Sequence, residues 1–532
     1  MRKFAVTALV LLLSACGGGG GSSGGGVLPS SPPSSPSPTP RPTLTDDWTT
    51  YAHDVQRTGF EQANTGITPS TVSSLQLAWR VTPNPSCQTA AATAQAVVDE
   101  ASPVVAGGYV YYADTCGYVA ALNRVDGSTA WSQRFPVADS VGGTYGTPTL
   151  DTANNVLIVS MWGTAGGCGG TPGCPTTAHG AYLAALNAKT GQILWQTKPP
   201  AAGNMRGEPL VLNGVVYQGI SGGDTDSGAV NGGMMAVNES TGALLSTFYV
   251  APASSPWDGG GSWSPISYDG QYIYFGTGNT RNGDGYQDSV IQLDPTNMQP
   301  VQNFGTYGND PDEDVGGGEM IWQNTLYFSG KSGNYYAFPL SSPWKAPLFS
   351  VLINASSSPQ GNGGISTPTT DGSVIAVSSG YNATTPGAPS PNIQSDLDLF
   401  PVGSSSMSCK LRATNSSIFS YAAFVNGVGF IGLDNQVATN TNGAAPWFVA
   451  FNDQCKIIWT ADPAKVIGFF YGGPAVVQSG VYAVDNAGNV YSWKLPQTIG
   501  VMSAARRAAL VRPAKRVYLT STRYARTHRA TL

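Results

Sequence analysis

Charge is scarce in this sequence. Asp, Glu, Lys and Arg make up 11% of its 532 residues, against about a quarter in an ordinary soluble domain. Histidine is scarcer still: His53, His179 and His528 are the only three, and they are scattered. That argues against a histidine-rich zinc or haem centre. No C-x-x-C-H run occurs, so no covalently attached haem is expected. Long apolar runs are also missing. The N-terminal run Phe4–Leu13 has ten residues, too few to span a bilayer as a mature helix. No nucleic-acid partner is expected.

Glycine and aromatics are plentiful, with 67 Gly, 24 Tyr and 12 Trp. This mix suits many short strands joined by tight turns. The opening "MRKFAVTALVLLLSAC" reads as an export signal: Arg2 and Lys3, a short apolar stretch, then small residues. Its end, "LSAC", resembles a bacterial lipobox with Cys16 as the lipidated residue. Residues 1–15 are then a lipoprotein signal peptide. Gly17 does not resemble the aspartate signal for inner-membrane retention, so an outer-membrane lipoprotein facing the periplasm is expected. Residues 16–45 form a Gly/Ser/Pro tether too polar to bury a core. It reaches roughly 3 Å per residue where proline-rich. At the other end, residues 497–532 hold eight Lys or Arg and no acid, which leaves 18 basic against 31 acidic residues before them. This basic tail reads as disordered and solvated, with anionic lipid as the other reading.

The body between, residues 46–496, repeats itself. One unit reads "SPVVAGGYVYYADTCGYVAALNRVDGSTAW", residues 102–131. It contains four strand-like stretches separated by glycine turns, which predicts a four-stranded antiparallel meander. The slot of Pro103 recurs at Pro148, Pro209, Pro265, Pro368 and Pro474, and falls on Glu319 and Ala422 in two degenerate copies. These eight units are 45 to 61 residues apart. Repeats of this size predict an all-β, eight-bladed β-propeller. The last unit has three strands of its own, so "LQLAW", residues 75–79, is expected to supply its outer strand and close the ring.

Ala121, Gly127 and Trp131 share their spacing with Ala185, Gly191 and Trp195. This resembles the tryptophan-docking repeat of the pyrroloquinoline quinone (PQQ) type propellers, and "DWTTYAHDVQRTGF" and "LQLAWRV" resemble that superfamily's N-terminus. The likeness implies structural roles for Trp79, Trp131 and Trp195, each indole lying between blades and giving its N–H to a backbone carbonyl. The superfamily includes quinoprotein dehydrogenases and non-enzymatic lipoproteins that scaffold outer-membrane protein assembly.

In a meander the start of the first strand and the end of the second lie together. Residues just before the proline slot, or 12 to 15 after it, should therefore share one mouth of the channel. Glu100, Asp224, Trp263, Asn279, Asp314 and Lys331 occupy such positions. They also resemble a quinoprotein dehydrogenase site. By that resemblance Glu100, Trp263 and Lys331 contact the quinone, Asp224 and Asn279 bind calcium, Asp314 is the catalytic base and Lys331 steadies developing charge. The implied cofactors are PQQ and calcium. The implied substrate is a small or polymeric alcohol, or a sugar hydroxyl, with an external electron carrier. Two features depart from the family: Asp224 stands where it has glutamate, and its adjacent-cysteine pair is missing. A scaffold or binding lipoprotein with envelope protein partners therefore remains the alternative.

Other motifs carry less. "GISGG", residues 219–223, fits a hydrolase elbow but has no suitable histidine. "DPDEDVGGGE", residues 310–319, lacks the glycine and terminal glutamate of an EF-hand. Six cysteines follow Cys16. In an oxidising envelope the short loop "CGGTPGC" suggests Cys168–Cys174, with Cys87–Cys116 and Cys409–Cys455 as the other pairs.

Overall fold

The computed structural model describes residues 46–63, 65–88, 101–136, 143–162, 181–200, 203–221, 231–251, 259–280, 285–306, 313–341, 343–353, 364, 366–379, 394–414, 418–433 and 448–496. Cys16, the tether, Glu100, Cys168, Cys174, Asp224 and the basic tail lie outside them. Among the described residues, eight antiparallel sheets follow one another along the chain. We number them blades 1 to 8. Blade 1 shows the plan: Val104–Ala106, Tyr109–Ala113, Tyr118–Asn123 and Thr129–Arg134 in meander order. The inner three strands are almost wholly buried, while the outer strand alternates between cover and solvent. Blades 2 to 7 begin at Thr149, Leu210, Ser267, Glu319, Thr369 and Ala423, and blade 8 at Ala475. The predicted slots sit at or just before these starts. Proline fits there because its missing N–H is not needed until the ladder begins.

The ring closes as expected. Gln76–Val81 pairs antiparallel with Val490–Lys494, Leu77 opposite Trp493 and Trp79 opposite Ser492. The outer strand of blade 8 thus comes from before blade 1, and ring closure covers an edge that would otherwise lie open. The three tryptophans do what the repeat implied. Trp79 Nε1 donates to Arg124 O at 3.2 Å, Trp131 to Ala188 O at 2.9 Å and Trp195 to Glu239 O at 2.6 Å. Each indole lies against a glycine of the next blade. At Gly191 a Cβ would come within 2.4 Å of Trp131, and φ is +73°. Only glycine meets both demands.

Blade 6 uses another device at the same place. Its outer strand, Cys409–Thr414, bears the disulfide Cys409–Cys455. Cys455 sits in the turn between the third and fourth strands of blade 7, with φ +56°. A covalent link there replaces the docked indole. The Cys87–Cys116 pair is also formed. Cys409→Ser is expected to lower stability by about 2–4 kcal/mol, as loss of a structural disulfide usually does. Denaturant melts of wild type and variant measure this; an unchanged midpoint removes the stapling role.

The segment 46–61 was not foreseen as a structural element. It runs across the inner strands of six blades. Trp48 bridges Val105, Thr49 O accepts from Leu150, and Val55 O from Tyr268. Gln56 O then accepts from Ile321, Thr58 O from Thr370 and Gly59 O from Phe424. Phe60–Glu61 finally adds a parallel strand to blade 7. Arg57 on this strap is fully buried, its Nε donating to Ile266 O at 2.7 Å and its Nη1 to Thr50 Oγ1 at 2.8 Å. Its charge offsets two acids, the buried Glu319 and the partly buried Glu208: desolvation pushes Glu208 up to about 7 and Glu319 well above its usual value, and Arg57 opposes both shifts.

Candidate functional site

The stretch "GGGSWSPISYDGQYIYFGTGN", residues 259–279, builds one wall of the mouth. Trp263 precedes the inner strand Ser267–Tyr268, and Asn279 follows the second strand Ile273–Gly276. Pairing of those strands returns the chain to the end where it began. Gly260 N–H donates to Asn279 O at 3.1 Å, and Gly278 N–H to Gly261 O at 2.8 Å. Blade 5 supplies the other wall by the same geometry. Asp314 precedes Glu319–Trp322, and Lys331 follows Thr325–Ser329.

The four described candidates come together. Lys331 Nζ makes an ion pair with Asp314 Oδ2. The Lys331 backbone N–H donates to Asp314 O at 2.9 Å. Asn279 N–H donates to Asp314 Oδ1 at 3.2 Å, so both carboxylate oxygens are engaged. The Lys331 ammonium lies 5.5 Å from the Trp263 ring centroid, within cation–π range. Asp314 is fully buried, whereas the Lys331 side chain is 20% exposed. Solvent therefore meets the pair at the lysine.

Trp263 is seated by a residue the sequence reading passed over. A Cβ on Gly316 would stand 1.8 Å from Trp263 Cη2. Glycine here lets the backbone of blade 5 run flush against the indole. Three more side chains at this mouth were also missed: Tyr145, Trp162 and Arg206. Tyr145 and Arg206 each lie three residues before a proline slot, and Trp162 fourteen after one. The offset rule that selected Trp263 and Asn279 would have found them, had it been applied to aromatic and arginine side chains in blades 2 and 3.

The residues present suit a flat, electron-poor ligand beside a hard cation. Trp263 offers a partly exposed aromatic surface. Among the described residues the Asn279 side-chain amide has no hydrogen-bond partner, which leaves its oxygen for an ion. Hard cations such as calcium take oxygen donors of this kind. A second cluster of metal-type donors, Cys87, Asp114 and Cys116, does not compete. Its two sulfurs are joined in a disulfide and offer no thiolate.

Comparison with known proteins matches this architecture. Residues 48–148 match the family model described as glucose/ethanol/alcohol dehydrogenase, beta-propeller domain. Residues 163–384 match the model described as outer membrane protein assembly factor BamB. Both models are of PQQ-type repeats, and together with the eight-bladed fold they match the chain to the PQQ-like β-propeller superfamily. This PQQ-like propeller is similar in fold to a europium-containing methanol dehydrogenase, with 16% identity, TM-score 0.62, and 84% of this chain and 90% of that one covered. It is similar to the quinohemoprotein alcohol dehydrogenase of Comamonas testosteroni, with 16% identity, TM-score 0.63, and coverage of 85% and 81%. It is also similar to BamB of Moraxella catarrhalis, with 14% identity, TM-score 0.52, and coverage of 80% and 98%. No curated protein matches the chain by sequence. The PQQ-like propeller thus stands between enzymes and an assembly factor, and its own residues have to separate the two.

Proposed function

We propose that this mouth binds PQQ with calcium and that the protein oxidises an alcohol or sugar hydroxyl. The observation that carries the reading is the meeting of Trp263, Asn279, Asp314 and Lys331 in one cluster built from two blades. Trp263 would hold the quinone ring, with Lys331 and Glu100 beside it. Asn279 and Asp224 would hold calcium. When bound, the quinone supplies a hydride acceptor and the ion polarises its carbonyl. Asp314 takes the proton of the substrate hydroxyl. Lys331 pairs with the Asp314 carboxylate until then and afterwards faces the developing negative charge. Because Asp314 is buried, Lys331 has to swing aside before a hydroxyl can reach it. Electrons would leave through an external carrier.

Cys16 would carry a lipid and hold the protein in the cell envelope, at the outer membrane facing the periplasm. There Cys168 and Cys174 would pair.

A second reading is favoured by the burial of Asp314. An ion pair whose carboxylate is fully buried can staple blade 5 to itself and to Asn279 without any ligand. The chain would then be a scaffold for envelope proteins. Titration of the purified protein with PQQ at millimolar calcium, followed by absorbance, separates the two. We expect saturable binding, and oxidation within an alcohol panel. Wild type that takes up no quinone overturns the dehydrogenase reading.

A further inference from the structure

Opposite the mouth lies a second face, and both ends of the ring leave from it. In each meander the first and third strands end there, and the second and fourth begin there. Asp46, at the start of the strap, pairs with Arg124, Oδ2 to Nη2 at 3.0 Å. Asp47 Oδ1 accepts from Gly107 N–H at 2.9 Å. Arg124 and Gly107 stand in the two turns of blade 1 that lie on this face. Lys494 ends the third strand of blade 8, and its Nζ donates to Arg124 O at 2.8 Å. The chain before residue 46 and the chain after residue 496 therefore set out from beside one arginine.

Exposed apolar side chains gather at the same end. Val125, Leu194, Leu245, Leu348, Met407 and Ile457 come from six different blades. Each stands in the turn before a fourth strand or within that strand's first two residues. They are 40% to 82% exposed. Among the described residues, the large apolar side chains exposed toward the mouth are only Tyr249, Leu352 and Ile467. A ring of apolar tips at one end suits shallow insertion at a headgroup boundary. The face itself is not cationic, since Asp126, Asp294 and Asp371 cap its turns. Positive charge comes instead from residues 497–532, with eight Lys or Arg and no acid.

We infer that the face opposite the mouth lies against an anionic lipid surface, held there by the Lys and Arg of residues 497–532. Each cation near such a surface is attracted to it, and the apolar tips add their own burial. A lipid on Cys16, as proposed above, would pull on the same face. One acyl chain with a polybasic segment holds where a single chain does not. The mouth then points away from the bilayer, open to a substrate or a partner. The inference stands whether or not the mouth binds quinone.

The test uses the chain from residue 17 onward, which contains every described residue and carries no acyl group. It is sedimented with vesicles of phosphatidylcholine, and of phosphatidylcholine mixed with phosphatidylglycerol. One variant has Gln at every Lys and Arg of residues 497–532. A second combines Leu245→Ser, Leu348→Ser and Met407→Ser, all exposed, so the ring should still fold. The unsubstituted chain should bind the mixed vesicles only. The first variant should bind them about 100-fold or more weakly, and the second about 10-fold more weakly. Amide hydrogen exchange should slow on binding in the turns around Arg124 and Leu348, and not around Trp263 and Asp314. The inference is overturned if the unsubstituted chain ignores the mixed vesicles, if either folded variant binds them equally well, or if protection falls on the mouth. It is also overturned if residues 497–532 protect those turns without vesicles, because the tail then docks on the acidic turns of its own ring.

Discussion

Asp314→Asn should bind PQQ like wild type and lose most of its turnover, by about 10²- to 10⁴-fold, the usual contribution of a general base. Asparagine has nearly the same shape. Its amide oxygen can still accept from the Asn279 N–H, as Asp314 Oδ1 does at 3.2 Å. It cannot take a proton from a hydroxyl, and it cannot pair with Lys331. The freed ammonium is not trapped, because the Lys331 side chain already reaches solvent. Folding should therefore survive, and the loss should fall on the chemical step. Single-turnover bleaching of bound quinone by substrate measures that step directly. If the variant reacts as fast as wild type, the pocket stands and the base is another group.

Trp263→Ala should weaken PQQ binding about 10- to 100-fold, since a large aromatic contact is worth about 1–3 kcal/mol. Gly316→Ala tests the same contact from behind. Its new Cβ would stand 1.8 Å from the Trp263 ring, so the indole must leave its seat. It should weaken binding in the same direction while removing no atom from the pocket. Calorimetric titration of both variants measures the effect. Wild-type affinity in both would show that the indole is not the quinone's support.

Much of the fold was legible because its signals are local. The proline slot marks where an inner strand can start without a missing ladder donor, and it marked the strand starts even where Glu319 or Ala422 replaced proline. Gly127 and Gly191 sit in turns whose geometry glycine itself allows, and Trp131 stands on the outer strand that follows such a turn. The offsets from the slot brought Trp263, Asn279, Asp314 and Lys331 to one mouth, since pairing of the first two strands returns the chain to its starting end. Tyr145, Trp162 and Arg206 stood at equally readable offsets. They escaped because the likeness to quinoprotein sites drew attention to the residue types it implies.

The sequence by itself determined the eight-unit ring, its tryptophan docking, its closure by the strand before blade 1 and the four meeting residues of the mouth. Period-two patterning and turn residues act over a few positions and repeat, so one good unit predicts the rest. Only the tertiary structure decided the strap of residues 46–61, the burial of Arg57 against Glu208 and Glu319, the placing of the expected Cys409–Cys455 link where other blades dock an indole, and the engagement of both Asp314 oxygens. Each of these depends on which side chains come into register after the ring has closed. Arg57 meets Ile266 across 209 residues of chain. No local pattern encodes such a contact, because neither partner's own turn or strand requires it.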